Sequence, residues 1–277
     1  MIELAECTYV EAGKLARSPR SVVLLPLGAI EQHGPHLPLV VDWTGAEELA
    51  RLLALHLTRA GFVPIRAPAL PYGASTLAAS WAGTVSLTIP LVRRLVVEII
   101  GQLAGHGFQR FVLTNYQADP DHLRAIALAR RDLARRRIRV FVAGFDRERR
   151  PPSPMINPKV LGLLRSPRAQ SEWHAGELET AMMLAVAPRM VKQNVARRLP
   201  PAWVDFAAAL AKGVRSFEAM APGGSGYFGS PAAGRADTGR KAMRMRARLM
   251  AAELIPALRD LVVGARRARR SVRRSRR

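Results

Sequence analysis

The chain has 277 residues, 49% of them hydrophobic and 23% charged, with a formal net charge of +22 and a single cysteine. That much apolar material supports a continuous core and excludes a disordered chain, and a lone Cys7 excludes a disulfide framework or a cysteine-based zinc site. The charge alone would suggest a nucleic-acid binder, but eight arginines fall in the last twelve residues, "RRARRSVRRSRR", and the other 265 carry only +14, spread along segments such as "LARRDLARRRIR".

The opening stretch, "MIELAECTYVEAGKLARS", mixes acids among its apolar residues and lacks the basic start and apolar run of an export signal. "SVVLLPL" (21–27) is continuous and β-branched, so it reads as a buried strand. "TGAEELARLLALHLTRAG" (44–61) follows as a helix with Thr44 as its cap, and "FVPIRAPAL" (62–70) as a strand that its prolines place near an edge or end early. A helix over 88–107, a strand over 108–115, a helix over 120–136 and a strand over 138–145 come next.

Residues 146–173, rich in proline, serine and charge, predict an excursion over the surface. A helix over 175–188 stops at Pro188, a glycine-rich loop spans 221–234, and a long helix runs from about 237 to 263. Alternating strands and helices predict a three-layer α/β/α domain with a mainly parallel central sheet over residues 1–264, followed by a disordered arginine-rich tail over 265–277. Such a tail predicts weak binding to nucleic acid or an anionic surface by phosphate neutralisation. Arg93, Arg94 and Glu98 break the longest apolar segment well short of the ~20 residues that a spanning helix needs, so no membrane span and a cytoplasmic location are expected.

Ligands of parallel sheets gather at the carboxyl ends of the strands, which directs attention to "LGAIEQHGPHLPLVVD" (27–42). Two of the six histidines, His33 and His36, lie there between Glu31 and Asp42, while His174 and Glu179 flank the start of the helix expected at 175. Carboxylate and imidazole together suit Zn²⁺, Mn²⁺ or Fe²⁺. His56, among helix leucines, and His106, before a helix-ending glycine, read as structural, and Cys7 as a buried filler. Trp81 and Trp173 are read either as walls of an apolar pocket or as core.

The stretch 27–42 resembles the opening motif of the creatininase family of metal-dependent amidohydrolases; "YGASTLAASWAGT" (72–84), "HAGELET" (174–180) and "GSPAAGRADTG" (229–239) are similar to later motifs in the same order. The resemblance implies that Glu31, His33 and Asp42 ligate one or two divalent ions, Asp42 bridging them, and that the bound hydroxide attacks a cyclic amide or formamide-type bond of a small molecule. It implies His174 as proton carrier, Glu179 as ligand or anchor of the bound water, His36 as a residue that orients a ligand, and a homo-oligomer, commonly a hexamer. The third motif departs from the family: "NYQADPDH" (115–122) puts Gln117 where a ligating histidine stands and Asp119 where some members have a ligating glutamate. Leu77 and Ala78 likewise replace a Glu-His pair. With Gln117 and Asp119 as the remaining ligands, one metal should bind weakly, and the alternative reading is a weakened or inactive relative with a binding or scaffold role.

Overall fold

Five strands among the described residues, β1 (Ile2–Glu3), β2 (Ser21–Leu27), β3 (Val63–Arg66), β4 (Phe111–Asn115) and β5 (Val140–Gly144), form one all-parallel sheet in the order β1-β3-β2-β4-β5. The helices are α1 (Tyr9–Arg17), α2 (Val41–Arg59), α3 (Ile89–Gly105), α4 (Pro120–Arg135), α5 (Pro158–Leu161), α6 (Glu177–Val186), α7 (Gln193–Ala196), α8 (Phe206–Ala211), α9 (Phe217–Met220) and α10 (Ala236–Arg274). The structure, a computed structural model, describes residues 1–149 and 153–274, with side chains as far as Leu261. The arginine-rich tail expected over 265–277 therefore falls beyond the described side chains, and its last three residues lie outside the described residues.

The central strand β2 is buried along its whole length, because both faces of a parallel sheet are covered. Its alternating side chains feed two cores. Val22 and Leu24 pack with α2, α6 and α10, including Leu53, Met182 and Met250, whereas Val23, Leu25 and Leu27 pack with Val96 and Ile100 of α3 and Ile126 and Leu133 of α4. This is the three-layer α/β/α arrangement that the alternation of strands and helices predicts. No helix among the described residues is long and apolar enough to cross a membrane.

Several local expectations shift. The chain also makes β1, which lengthens the sheet beyond β3, and α1, opened by a capping box between Thr8 and Glu11. β3 ends at Arg66, as its prolines require, although Leu70 still bridges to Leu27. Residues 153–173 do not merely cross the surface, since Met155 and Val160 are fully buried and α5 packs on α10.

The shift that matters for chemistry is at α2, which begins at Val41 rather than Thr44 and so carries Asp42 in its first turn. A carboxylate there is favoured by the helix dipole. Gly28 makes this approach feasible, because a Cβ at that position would lie 2.4 Å from the Cα of Trp43. Strand order reverses between β2 and β4, whose ends are in register at Leu27 and Asn115. The loops after these two strands therefore open into one crevice.

Candidate metal centre

The loop after β2 is held by its own backbone. Ile30 bridges to Val85, the Glu31 N–H donates to the Leu39 carbonyl over 2.9 Å, and the Gln32 N–H donates to the Thr84 hydroxyl over 3.0 Å. Gly34 turns the chain with φ +66°, and its N–H donates to the Gln32 side chain. The loop after β4 is pinned by Asn115, whose amide donates to the carbonyls of Gln117 and Phe145. The third element is α6, which is preceded by Ala175 in a left-handed conformation, φ +51°, unusual for a residue with a side chain. That turn aims the Ala175 N–H at the Glu179 carboxylate and leaves His174 paired through its backbone with Phe228.

These three elements bring five groups together. Glu31, His33 and His174 form one set of three ligand atoms within 4.8 Å of one another, and His33, Asp42 and Glu179 form a second that shares His33. The His33 Nε2 lies 3.8 Å from Asp42 and 3.7 Å from Glu179, while His174 Nδ1 lies 3.8 Å from Glu31. Proton placement on both rings is set by carbonyls. His33 Nδ1, 3.0 Å from the Glu31 carbonyl, donates there and turns its Nε2 lone pair toward the acids, and His174 Nε2 donates to the Gln32 carbonyl over 2.9 Å, leaving Nδ1 as an acceptor.

Gln117, expected as a ligand, presents its amide nitrogen to the cluster. Its Oε1 accepts the N–H groups of Ala118 and Asp119, so the atom facing the cluster is Nε2, a donor that bonds Glu31 and Ser75. A donor cannot ligate a cation. Asp119 stands outside both sets: its oxygens accept the N–H groups of Leu77 and Asp121, because the start of α4 leaves backbone donors that need an acceptor. His36 is outside too, with Nε2 2.8 Å from the Thr180 hydroxyl next to Glu179. His122 is fully buried, with Nδ1 accepting from the Ala74 N–H.

Burial and mutual repulsion dominate the electrostatics. Glu31 is pushed up to about 8, first by burial and further by Asp119 and Glu179, against the hydrogen bonds of Ser75 and Gln117. Burial, then Glu31 and Glu179, hold the Asp42 carboxyl well above the usual carboxylate range. Burial also lowers His33 and His174, and takes His36 down to about 4. The Asp42 Oδ2 has no hydrogen-bond partner among the described residues. Acids packed together without a neutralising side chain, an orphaned carboxylate oxygen and two imidazoles with their lone pairs turned inward fit a divalent cation by charge and by donor type.

A raised carboxyl keeps its proton longer in the fold than in the unfolded chain, so it destabilises the fold progressively as pH rises from its ordinary value toward its raised one. Metal-free wild type should therefore lose stability relative to Glu31→Gln as pH rises from about 4.5 to about 8. The expected loss is about 1.4 kcal/mol per pH unit at most. Urea unfolding in chelator across this range checks it, and parallel pH profiles for the two proteins would contradict it.

Three residues of the cluster, Glu31, His174 and Glu179, line a cavity of about 270 Å³ walled by Trp173, Phe206, Phe217 and Phe145. The Trp173 ring stacks on Phe206 at 5.4 Å and the His174 ring meets Phe217 at 4.4 Å. Trp81 does not line it. The phenylalanines and Arg246 were not legible as site residues, because they fall outside the motifs, and Tyr116, although within the third motif, is not a residue type that marks a metal site. Arg246 carries one faint signal: it falls on the apolar face with Met243, Ala247 and Met250, where a surface arginine would not.

The family model described as creatinine amidohydrolase matches residues 5–254. The chain is 30% identical over 223 residues to a mycofactocin precursor peptide peptidase of Mycobacterium ulcerans (strain Agy99), covering 79% of this chain and 78% of that one. It is 30% identical over 213 residues to the creatinine amidohydrolase of Pseudomonas putida, covering 72% and 77%. A mutant creatininase of the Zn-Zn type shares the fold with a TM-score of 0.71 and 26% identity over 92% of this chain and 98% of that one. A structure named Creatininase Mn, at 24% identity and a TM-score of 0.69 over 93% and 98%, shares the fold. From the motifs, the parallel sheet and a match over nearly the whole chain, the protein belongs to the creatininase family of hydrolases.

Proposed function

We propose that this protein is a metal-dependent hydrolase of an amide-type C–N bond in a small substrate, acting in the cytoplasm as a homo-oligomer. The observation that carries the reading is the pair of overlapping ligand sets, joined at His33, of which Glu31, His174 and Glu179 line a largely apolar cavity. Amidohydrolase and peptidase, the activities named for the two relatives, both break such a bond.

We assign the holding of one or two ions, Zn²⁺, Mn²⁺ or Fe²⁺, to Glu31, His33, Asp42 and Glu179, which would supply the carboxylate and imidazole ligands. A bound divalent ion supplies an acidified water and polarises a carbonyl. The chain supplies the rest. Gln117 and Ser75 hold Glu31 in place, and the Glu31 carbonyl keeps the proton of His33 on Nδ1. His36 orients α6 through Thr180, so that Glu179 faces His33. Asp119 adds negative charge at the rim, felt by Glu31 and Asp42.

His174 is assigned the proton. Its Nδ1 accepts at the cavity floor, and the low proton affinity that burial imposes on the ring suits it to hand that proton on to a leaving nitrogen. The aromatic walls exclude water from the reacting bond and strengthen every charge interaction there. Elemental analysis of the purified protein should find one or two divalent ions per chain. Chelation should abolish hydrolysis of a panel of cyclic amides, formamides and short peptides, and added Zn²⁺ or Mn²⁺ should restore it. Full turnover by metal-free protein would end the proposal.

A further inference from the structure

Arg246, on α10, is among the largest fully buried side chains, with 1% exposure, and it lines the same cavity as Glu31 and His174. Two of its donors are used within the fold: Nε donates to the Met155 carbonyl over 2.9 Å, and Nη1 donates to the Tyr116 hydroxyl over 2.8 Å with the Met243 sulfur 3.7 Å away. Nη2 makes no hydrogen bond and the guanidinium makes no ion pair among the described residues. The undescribed stretches hold no acid that could supply one, since residues 150–152 and 262–277 contain neither aspartate nor glutamate. The remaining acids of the cavity wall are engaged elsewhere, Glu172 by the N–H groups of Glu177 and Ser230 and Asp119 by those of Leu77 and Asp121.

A guanidinium kept this far from water, with no ion-pair partner and only the Tyr116 ring 5.4 Å from its centre, leaves Nη2 available to an anion. Its planar fork matches a carboxylate in particular. The Tyr116 hydroxyl, which lines the cavity as well, accepts from Arg246 and so has its own proton left to donate. Around this polar pair the walls are apolar, with Phe145, Ile156, Phe206 and Phe217. A purely structural staple between α10, β4 and the Met155 segment would need the hydrogen bonds but not the charge.

We propose that Arg246 and the Tyr116 hydroxyl bind the carboxylate of the substrate, which is therefore an apolar acid bearing the scissile amide: an N-acylated amino acid or the carboxyl end of a peptide. The role in substrate binding rests on the hydrolase reading of the floor of the cavity. Arg246 is a positioning and specificity residue in this scheme, and it takes no part in proton transfer.

Calorimetric titration of the metal-loaded full chain with 3-phenylpropionate and with its neutral isostere 3-phenylpropionamide tests this directly. Wild type should bind the acid at least about ten-fold more tightly, the effect of a charge-assisted hydrogen bond. Arg246→Gln should erase the preference, and Arg246→Lys should keep part of it. Equal affinity for acid and amide in wild type overturns the proposal, and this measurement does not depend on how any variant folds. A preference that survives in folded Arg246→Gln also overturns it, because direct binding to the metal would leave that signature.

A second pair, N-acetyl-Ala-Phe with a free or an amidated end, separates the two sources of carboxylate. A preference in the small pair alone supports a small acid as the source, one in the peptide pair alone supports a peptide end, and one in neither is decisive against both. Metal content and hydrolysis of neutral amides, measured alongside, keep the two readings apart. An acid preference without metal or turnover removes the hydrolase reading, whereas a loaded, active enzyme indifferent to the carboxylate removes only the role of Arg246.

Discussion

Asp42→Asn is expected to cut metal content to one ion per chain or none and to lower hydrolysis by at least about 100-fold, the upper end of what is lost when a metal ligand's supporting partner is removed. The same change should stabilise the metal-free protein. In the absence of an ion, Asp42 is buried against Glu31 and Glu179, and its Oδ2 has no hydrogen-bond partner among the described residues. An amide of equal shape removes that repulsion, which acts between buried groups at low dielectric and is not screened by water. Its position in the first turn of α2 works the other way, since a carboxylate there is favoured by about 0.3–1 kcal/mol. The repulsion is the larger effect, so the net change is stabilising. Denaturant unfolding in chelator at pH 8 reads the gain, and elemental analysis reads the loss of ions. Loss of stability together with unchanged metal content would show that Asp42 caps the helix and nothing more.

Gln117→His is expected to tighten metal binding by roughly 10–100-fold and to raise turnover. Gln117 already extends to Glu31, and an imidazole there would place a lone pair where the amide now places a donor. The substitution has a cost. Oε1 of Gln117 satisfies the N–H groups of Ala118 and Asp119, and losing two such bonds costs about 2 kcal/mol in the metal-free state. The variant should therefore be less stable than wild type in chelator and more stable in saturating Zn²⁺, since a ligand that binds only the fold stabilises it by mass action. Competition titration against a chromophoric chelator measures the affinity. A folded variant with unchanged affinity would mean that position 117 does not face the ion.

Both predictions depend on a distinction between residues that sit in the same motif. Glu31, His33 and His36 are within six positions of one another, yet only the first two reach the cluster, and His36 turns to Thr180 on α6. Asp119 and Gln117 are two positions apart, and each is engaged by the backbone of its own neighbourhood, one as the cap of α4 and the other as the anchor of the loop before it. A cap and a ligand are both carboxylates near the end of a strand. Residue type and spacing do not separate them.

Much of the fold was legible in the sequence, because its signal is local and repeated. An unbroken apolar run such as 21–27 is buried on both faces only in a covered parallel sheet, and the alternation with amphipathic helices leaves few other architectures. The first and fourth motifs likewise singled out Glu31, His33, Asp42, His174 and Glu179, which the fold brings together, since histidine and acid at such density in loops after strands have few structural uses. What only the tertiary structure decided was which atoms face one another: that His33 is shared between two ligand sets, that Gln117 presents a nitrogen, and that Arg246, on the long last helix, lines the cavity from the far end of the chain. Strand and helix identities follow from side chains within a few positions along the chain, whereas a site made across an α/β crevice is set by packing between segments more than a hundred residues apart. Direction and protonation there depend on partners that no local pattern records.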